Sequence, residues 1–227
     1  NKLLPINIMI GYVITTHFDN YNKIYNALVS LRENMTKKRY FILFDNEGVS
    51  GKKEKLLNSF DFIDEYYSID DQSKGGLTYT WNKGISICLE KGCEGVILLN
   101  HDIKCNYTLQ FLEKAFLNKA KEGVYSCTTN KAPWGNHLNQ ESYIKNFNNP
   151  ICEKFKNKNG PGGFCLAIPK NVLIKNKFDE NNYFDPKYRF GGNERHFNNR
   201  WYDKGGFCYI VRNCFIEHFR DNSWINL

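Results

Sequence analysis

A chain of 227 residues that is 41% hydrophobic and 15% aromatic has ample apolar material for a conventional core, in one large domain or two small ones, which excludes a disordered polymer. Lys and Arg outnumber Asp and Glu by 31 to 24, and the formal charge of +7 favours anionic partners such as phosphates and nucleotides. No run of five or more basic residues and no RNA-binding aromatic signature occurs, so no nucleic-acid partner is expected, and the longest apolar runs fall short of the ~20 residues of a transmembrane helix.

In chain order, "NIMIGYVITT" (7–16) predicts a buried strand, and Ile24, Ala27, Leu28 and Leu31 recur at helical spacing through "NKIYNALVSLREN". A second strand, "RYFILF", ends at Asp45 and runs into the turn-like "NEGVSG". A short helix with Leu56, Leu57 and Phe60, a brief strand at 63–67, and a helix through "LTYTWNKGISICLEKG" follow, the last stopping at Gly92 as a glycine terminator should. "GVILLNHDIKC" then supplies a strand, "LQFLEKAFLNKAKEG" a helix and "VYSCTT" another strand. Strict alternation of strand and helix predicts a parallel, doubly wound sheet for this half.

After Thr129 the pattern breaks into a polar, aromatic-dotted stretch reaching Gly160, whose length suits a lid over a site. The chain resumes with a strand "FCLAIP", a helix at 172–175, the loop "FDENNYFDPKYRFGG", a helix at 194–204, and two closing strands at 208–211 and 214–218. One α/β domain with an open mixed sheet flanked by helices is the expectation. The eight cysteines include no Cys-x-x-Cys and sit in apolar contexts, so buried thiols are expected rather than disulfides or a zinc site. The chain starts at Asn1 with no charged-then-apolar leader, which suggests a cytoplasmic protein and an excised domain or processed form of something larger.

Polar residues close several of the predicted strands: Thr15, Thr16 and His17 the first, Asp45 the second, Asn100, His101 and Asp102 the fourth, and His218 the last. A lone Asp there either opens a turn or stands at the carboxyl edge of a parallel sheet, where open α/β folds bind ligands; several in register favour the second alternative. Trp81 falls on an ordinary helical stripe with Thr78, Ile85 and Cys88 and reads as core, as do Phe197 and Trp201 one turn apart.

From Ile8 to about Asp221, "GLTYTWNKGI", "VILLNHDI", "PGGFCLAIPK", "FDENNYF", "RFGGNERHFNNRWYDKGG" and "EHFRD" occur in an order and spacing that resemble GT-A glycosyltransferases, closest to inverting enzymes of the family-2 and beta-1,4-galactosyltransferase type. The resemblance implies a GT-A, Rossmann-like fold over 1–227, with 1–129 holding a nucleotide sugar, a UDP-sugar first, and 130–227 serving a glycan or glycoconjugate acceptor. It implies Mn²⁺ or Mg²⁺ held by Asp102 and His218, although Asn100 stands where the family commonly has its first Asp. It places Thr15, Thr16, His17, Asp45, Asn82, Asn100, His101, Asp102 and Gly163 at the donor, and Trp134, Gly192 and Asn193 at the acceptor. Of the family's acidic pair after Gly-Gly, Asn193 and Glu194 occupy the positions, with Arg200 six residues beyond, so Glu194 is the implied base. A carboxylate in a first helical turn is also favoured by the helix dipole alone. Two other readings stand beside this one: a non-catalytic sugar- or nucleotide-binding module, and a sugar nucleotidyltransferase, which needs a glycine-rich phosphate loop that "TTHFDNYNK" does not provide.

Overall fold

In chain order the elements are β1 (Ile10–Thr16), α1 (Tyr21–Asn34), β2 (Arg39–Asp45), α2 (Lys53–Ser59), β3 (Glu65–Ser68), α3 (Leu77–Glu90), β4 (Gly95–Asn100), β5 (Ile103–Lys104), α4 (Leu109–Leu117), β6 (Gly123–Thr128), β7 (Cys152–Lys154), β8 (Cys165–Pro169), α5 (Lys170–Lys175), α6 (Asn193–Asp203), β9 (Phe207–Phe215) and β10 (Glu217–His218). They belong to a computed structural model that describes residues 8–16, 21–46, 53–69, 76–118, 122–130 and 148–219. All seven residues of β1 are buried, the mark of a strand covered on both faces.

Eight strands form one sheet in the order β3-β2-β1-β4-β8-β6-β9-β7. β1 pairs parallel with β2 and β4, and β2 with β3. β8 runs antiparallel between β4 and β6, β9 returns parallel to β6, and β7 closes the edge antiparallel to β9. Because β2 and β3 lie on one side of β1 and β4 on the other, the winding reverses between β1 and β4. A crevice opens at such a point beyond the carboxyl ends of the strands. Side chains alternate between two cores: Tyr12 and Ile14 pack with Leu28 of α1 and Leu112 of α4, whereas Val13 packs with Ile85 of α3 and Phe197 of α6. α3 lies so close to β1 that a Cβ on Gly84 would stand 2.7 Å from Val13 Cγ1.

The predicted strands and helices are present, with four differences. The two closing strands are one, β9, whose pairing with β6 jumps from Cys127↔Val211 to Thr128↔Phe215. The two-residue strands β5 and β10 pair antiparallel in a separate ribbon, too short for any hydrophobic period to announce them. The helix expected up to Gly123 ends at Leu117, because Asn118 turns to extended backbone (φ −78°, ψ 97°). Within the expected lid, residues 131–147 lie outside the described residues, but Cys152–Lys154 forms the edge strand β7 and Asn198 Nδ2 donates to Asn159 O at 3.1 Å, fixing that end of the segment to α6. All eight cysteines are thiols, seven buried and Cys152 half-buried. Among the described residues no helix is long and apolar enough to cross a membrane.

Candidate active site at the carboxyl edge of the sheet

The tips of β1, β2 and β4 stand side by side, with Thr16 opposite Asp45 and Thr15 opposite Asn100. Thr15 points toward α3, where its hydroxyl lies 2.9 Å from that of Thr80. Thr16, one residue on, faces the other way and donates to Asp45 Oδ1 at 3.1 Å, while Tyr66 of β3 donates to Oδ2 at 2.9 Å. Asp45 is only 1% exposed. His17 lies outside the described residues.

Beyond β4 the chain folds back as β5, and pairing of Ile103 with His218 of β10 brings that histidine against Asp102. His218 Nε2 stands 3.3 Å from Asp102 Oδ2. Phe219 N donates to Asp102 O at 2.8 Å, joining the two backbones, and the Phe164 ring stacks on the imidazole at 5.0 Å and 17°, which holds the ring in place. His101 is buried beside them, and Asn100 N donates to Phe164 O at 3.0 Å, tying the tip of β4 to the strand that carries Gly163. Burial alone would raise the Asp102 carboxyl, but the hydrogen bond and charge of His218, with His101 beyond, hold it below the usual carboxylate range.

Asp102 Oδ1 is buried with no hydrogen-bond partner. An orphaned carboxylate oxygen costs about 1–3 kcal/mol or more, so its retention calls for a cation. Two adjacent ligands of an octahedral cation at about 2.1 Å stand about 3 Å apart, close to the His218–Asp102 spacing. Oxygen with imidazole suits Mn²⁺, and the residues present fit such an ion. Among the described residues no cluster of three or more His, Cys, Asp or Glu side chains could hold a metal, so the remaining ligands would have to come from solvent or substrate.

The third element of the site is the start of α6. Gly192 caps it in the left-handed region (φ 77°), and Glu194 lies in the first turn. A Cβ on Gly163 would stand 2.8 Å from Trp81 Cη2 and 3.5 Å from Glu194 Cδ, so the glycine lets the backbone pass between the indole and the carboxyl. Burial pushes the Glu194 carboxyl up from its ordinary range, only partly offset by a backbone N–H.

Two expected ligand contacts are instead structural. Asn82 donates to Asn182 Oδ1 (3.1 Å) and Phe184 O (2.9 Å) and accepts from the N–H groups of Tyr183 (3.0 Å) and Phe184 (2.8 Å). This saturates the carboxamide and pins the loop before α6, rather than turning it to a donor. Asn193, fully buried, donates to Thr78 Oγ1 and accepts from Glu194 N, which joins α6 to α3 rather than presenting it to an acceptor. Arg200 is likewise internal, holding the carbonyls of Asn176 and Tyr183. Trp134 lies outside the described residues.

Asn46 was not among the residues singled out in the sequence. It follows Asp45 at the tip of β2, is 5% exposed, and its Oδ1 has no partner. The only sequence signal was "DN" at a strand end, which reads equally as the start of a turn.

No protein family and no curated protein matches the chain. Solved structures do match its shape. GalNAc-T7 with UDP, GalNAc and Mn²⁺ superposes with a TM-score of 0.68 at 12% identity, over 97% of this chain and 46% of that one. S. aureus TarS residues 1–349 superposes at 0.66 and 13% identity, over 92% of this chain and 60% of that one. The same TarS fragment in complex with UDP-GlcNAc gives 0.66 at 10% identity, over 97% and 61%. The chain therefore spans between 46% and 61% of the length of these neighbours, and its fold is GT-A.

Proposed function

We propose that the chain is a glycosyltransferase that moves a sugar from a nucleotide diphosphate, UDP first, to an acceptor hydroxyl with inversion. The observation that carries this is the orphaned Asp102 Oδ1 in a carboxylate–imidazole pair at the reversal point of a GT-A sheet, with Glu194 raised by burial at the same edge. Neighbours of that fold were solved with UDP and with UDP-GlcNAc, one of them with Mn²⁺, which supports the same donor class and cation here.

Asp102 and His218 would hold the divalent cation, Mn²⁺ or Mg²⁺, which when bound offsets the charge that grows on the departing diphosphate. The tips of β1 and β2 would bind the nucleoside, with Thr16 and Tyr66 keeping the Asp45 carboxylate aimed at the base. Gly163 lets the chain leading into β8 run close against Trp81 and Glu194, holding the base at the donor edge. The acceptor oxygen attacks the anomeric carbon as the bond from that carbon to the diphosphate oxygen breaks; Glu194 takes the acceptor proton, and UDP leaves with the electron pair. Attack opposite to the leaving group inverts the anomeric centre. In this reading residues up to 129 serve mainly the donor, while the remainder supplies the base, the acceptor side and the second cation ligand.

Thermal stabilisation by nucleotide sugars with and without Mn²⁺ tests the reading. A true donor at about a hundred times its dissociation constant adds about 2.7 kcal/mol, and UDP should then be released when an acceptor is supplied. Equal melting with every nucleotide, with and without Mn²⁺, would remove it. Stabilisation without UDP release across an acceptor panel would favour a binding module instead.

A further inference from the structure

The start of α6 carries charge that the proposed reaction does not use. Residues 156–160 and 185–196 hold five basic side chains (Lys156, Lys158, Lys187, Arg189 and Arg195) and two acidic ones (Asp185 and Glu194), against 31 and 24 in the whole chain. Glu194 and Asn198, one helical turn apart, face the segment that leads into β8, where a Cβ on Gly163 would stand 3.5 Å from Glu194 Cδ and Asn198 Nδ2 donates to Asn159 O at 3.1 Å and Pro161 O at 3.2 Å. His196 and Arg200 face the loop before α6, with the Tyr188 ring 4.9 Å from the imidazole and Asp185 Oδ2 3.6 Å from its Nδ1. Exposed Arg195 stands between these two faces and donates from Nε to Asn159 Oδ1 at 3.1 Å. Lys158 adjoins Asn159 and Lys187 adjoins Tyr188, so three exposed cations form an arc over the outer side of the helix start, beside Glu194. Among the described residues none of these three side chains is paired with an acid. A cation in a first helical turn is also opposed by the helix dipole, so the arc is costly unless an anion completes it.

We infer that the acceptor is an anionic saccharide whose phosphate or carboxylate groups meet Lys158, Arg195 and Lys187 while one of its hydroxyls is offered to Glu194; the inference rests on the glycosyltransferase reading. A guanidinium presents a planar fork that matches the paired oxygens of either group, and each ammonium adds a point charge on its own flank of the helix. A neutral glycan brings only hydroxyls to the arc and leaves its three charges uncompensated. Cations on both flanks of the helix suit charge repeated along the acceptor, which also sets its direction across the base.

The test titrates neutral maltotetraose, phosphorylated maltotetraose and tetragalacturonate by calorimetry into the protein holding UDP and Mn²⁺. A charged oligosaccharide should bind about tenfold or more tightly than the neutral one, the tighter of the two charged probes identifies phosphate or carboxylate as the group, and raising NaCl from about 0.05 to about 0.5 M should erase the preference. The triple variant Lys158→Gln, Lys187→Gln, Arg195→Gln should lose the preference and keep UDP affinity within about twofold. Lys37→Gln, Lys91→Gln, Lys170→Gln, at the opposite edge of the sheet and with the same change in net charge, should keep it. Equal binding of the three oligosaccharides, binding of none, a preference that both triple variants share, or tighter binding of a single-stranded oligonucleotide of equal charge overturns the inference, and UDP binding that persists in those cases leaves the donor reading standing. A wild type that binds no UDP overturns both.

Discussion

Asn193 Nδ2 donates to Thr78 Oγ1 at 3.0 Å, and Thr78 in turn donates to the Tyr188 carbonyl, so the first residue of α6, the second of α3 and the loop before α6 share one directed chain of protons. The direction depends on the amide. Aspartate at 193 would have no N–H to offer and would bury a carboxylate at a fully buried position. Asn193→Asp should therefore lower stability by at least about 1–3 kcal/mol in urea denaturation, although it would place two acids in a row after the double glycine. Unchanged stability would show that the joint between the helices tolerates a carboxylate.

Glu194→Gln keeps the size and polarity of the side chain and removes its ability to take a proton. Transfer should fall by about 10²- to 10⁴-fold while UDP affinity stays within about twofold. A residue needed only for the helix dipole would change stability by about 0.3–1 kcal/mol and leave turnover nearly intact, so the rate separates the two roles.

Because burial raises the Glu194 carboxyl, the acid limb of the kcat/KM profile should lie above the ordinary glutamate range. Catalysis needs the ionised form, so activity rises with pH through that limb. Glu194→Gln should flatten it, which a buffer series would show.

Glu113, behind the sheet, accepts hydrogen bonds from Tyr12 OH and from Thr36 N, and burial raises its carboxyl despite both. A carboxyl raised in the folded state favours folding below its unfolded pKa, and that contribution is lost as pH rises through the folded value. Stability of the wild type should thus decline relative to Glu113→Gln as pH climbs from below the ordinary glutamate range to neutrality, in paired thermal melts. Parallel curves for the two proteins would count against a strained carboxylate.

Asp102→Asn and His218→Ala should each weaken Mn²⁺-dependent UDP binding by at least about tenfold and leave binding without metal unchanged. Metal titration by calorimetry reads this directly. Affinity unchanged in both would return Asp102 to the role of a turn residue.

The parallel half of the fold was legible because β1, β2 and β4 are largely buried, near-continuous apolar runs, and its helices carry a clear apolar stripe. The edge strand β7 and the ribbon of β5 and β10 were not, since two or three residues hold no period. Strand ends drew attention to Asp45, Asp102 and His218, and the structure does set the last two against each other. The same reasoning could not tell a side chain that faces a ligand from one that braces a loop: Asn82 and Asn193 are spent on neighbours 100 or more positions away, which no local pattern encodes.

At the step in the pairing of β6 with β9, β9 advances four positions, Val211 to Phe215, while β6 advances one, Cys127 to Thr128. Asn213, within those surplus residues, accepts from Ile151 N and donates to Asn149 O, both at 2.9 Å, which anchors the excursion. The reach of His218 to Asp102 is consequently a matter of counted length. Point substitutions in the excursion other than at Asn213 leave that count unchanged, whereas a single insertion or deletion would carry the imidazole past its partner.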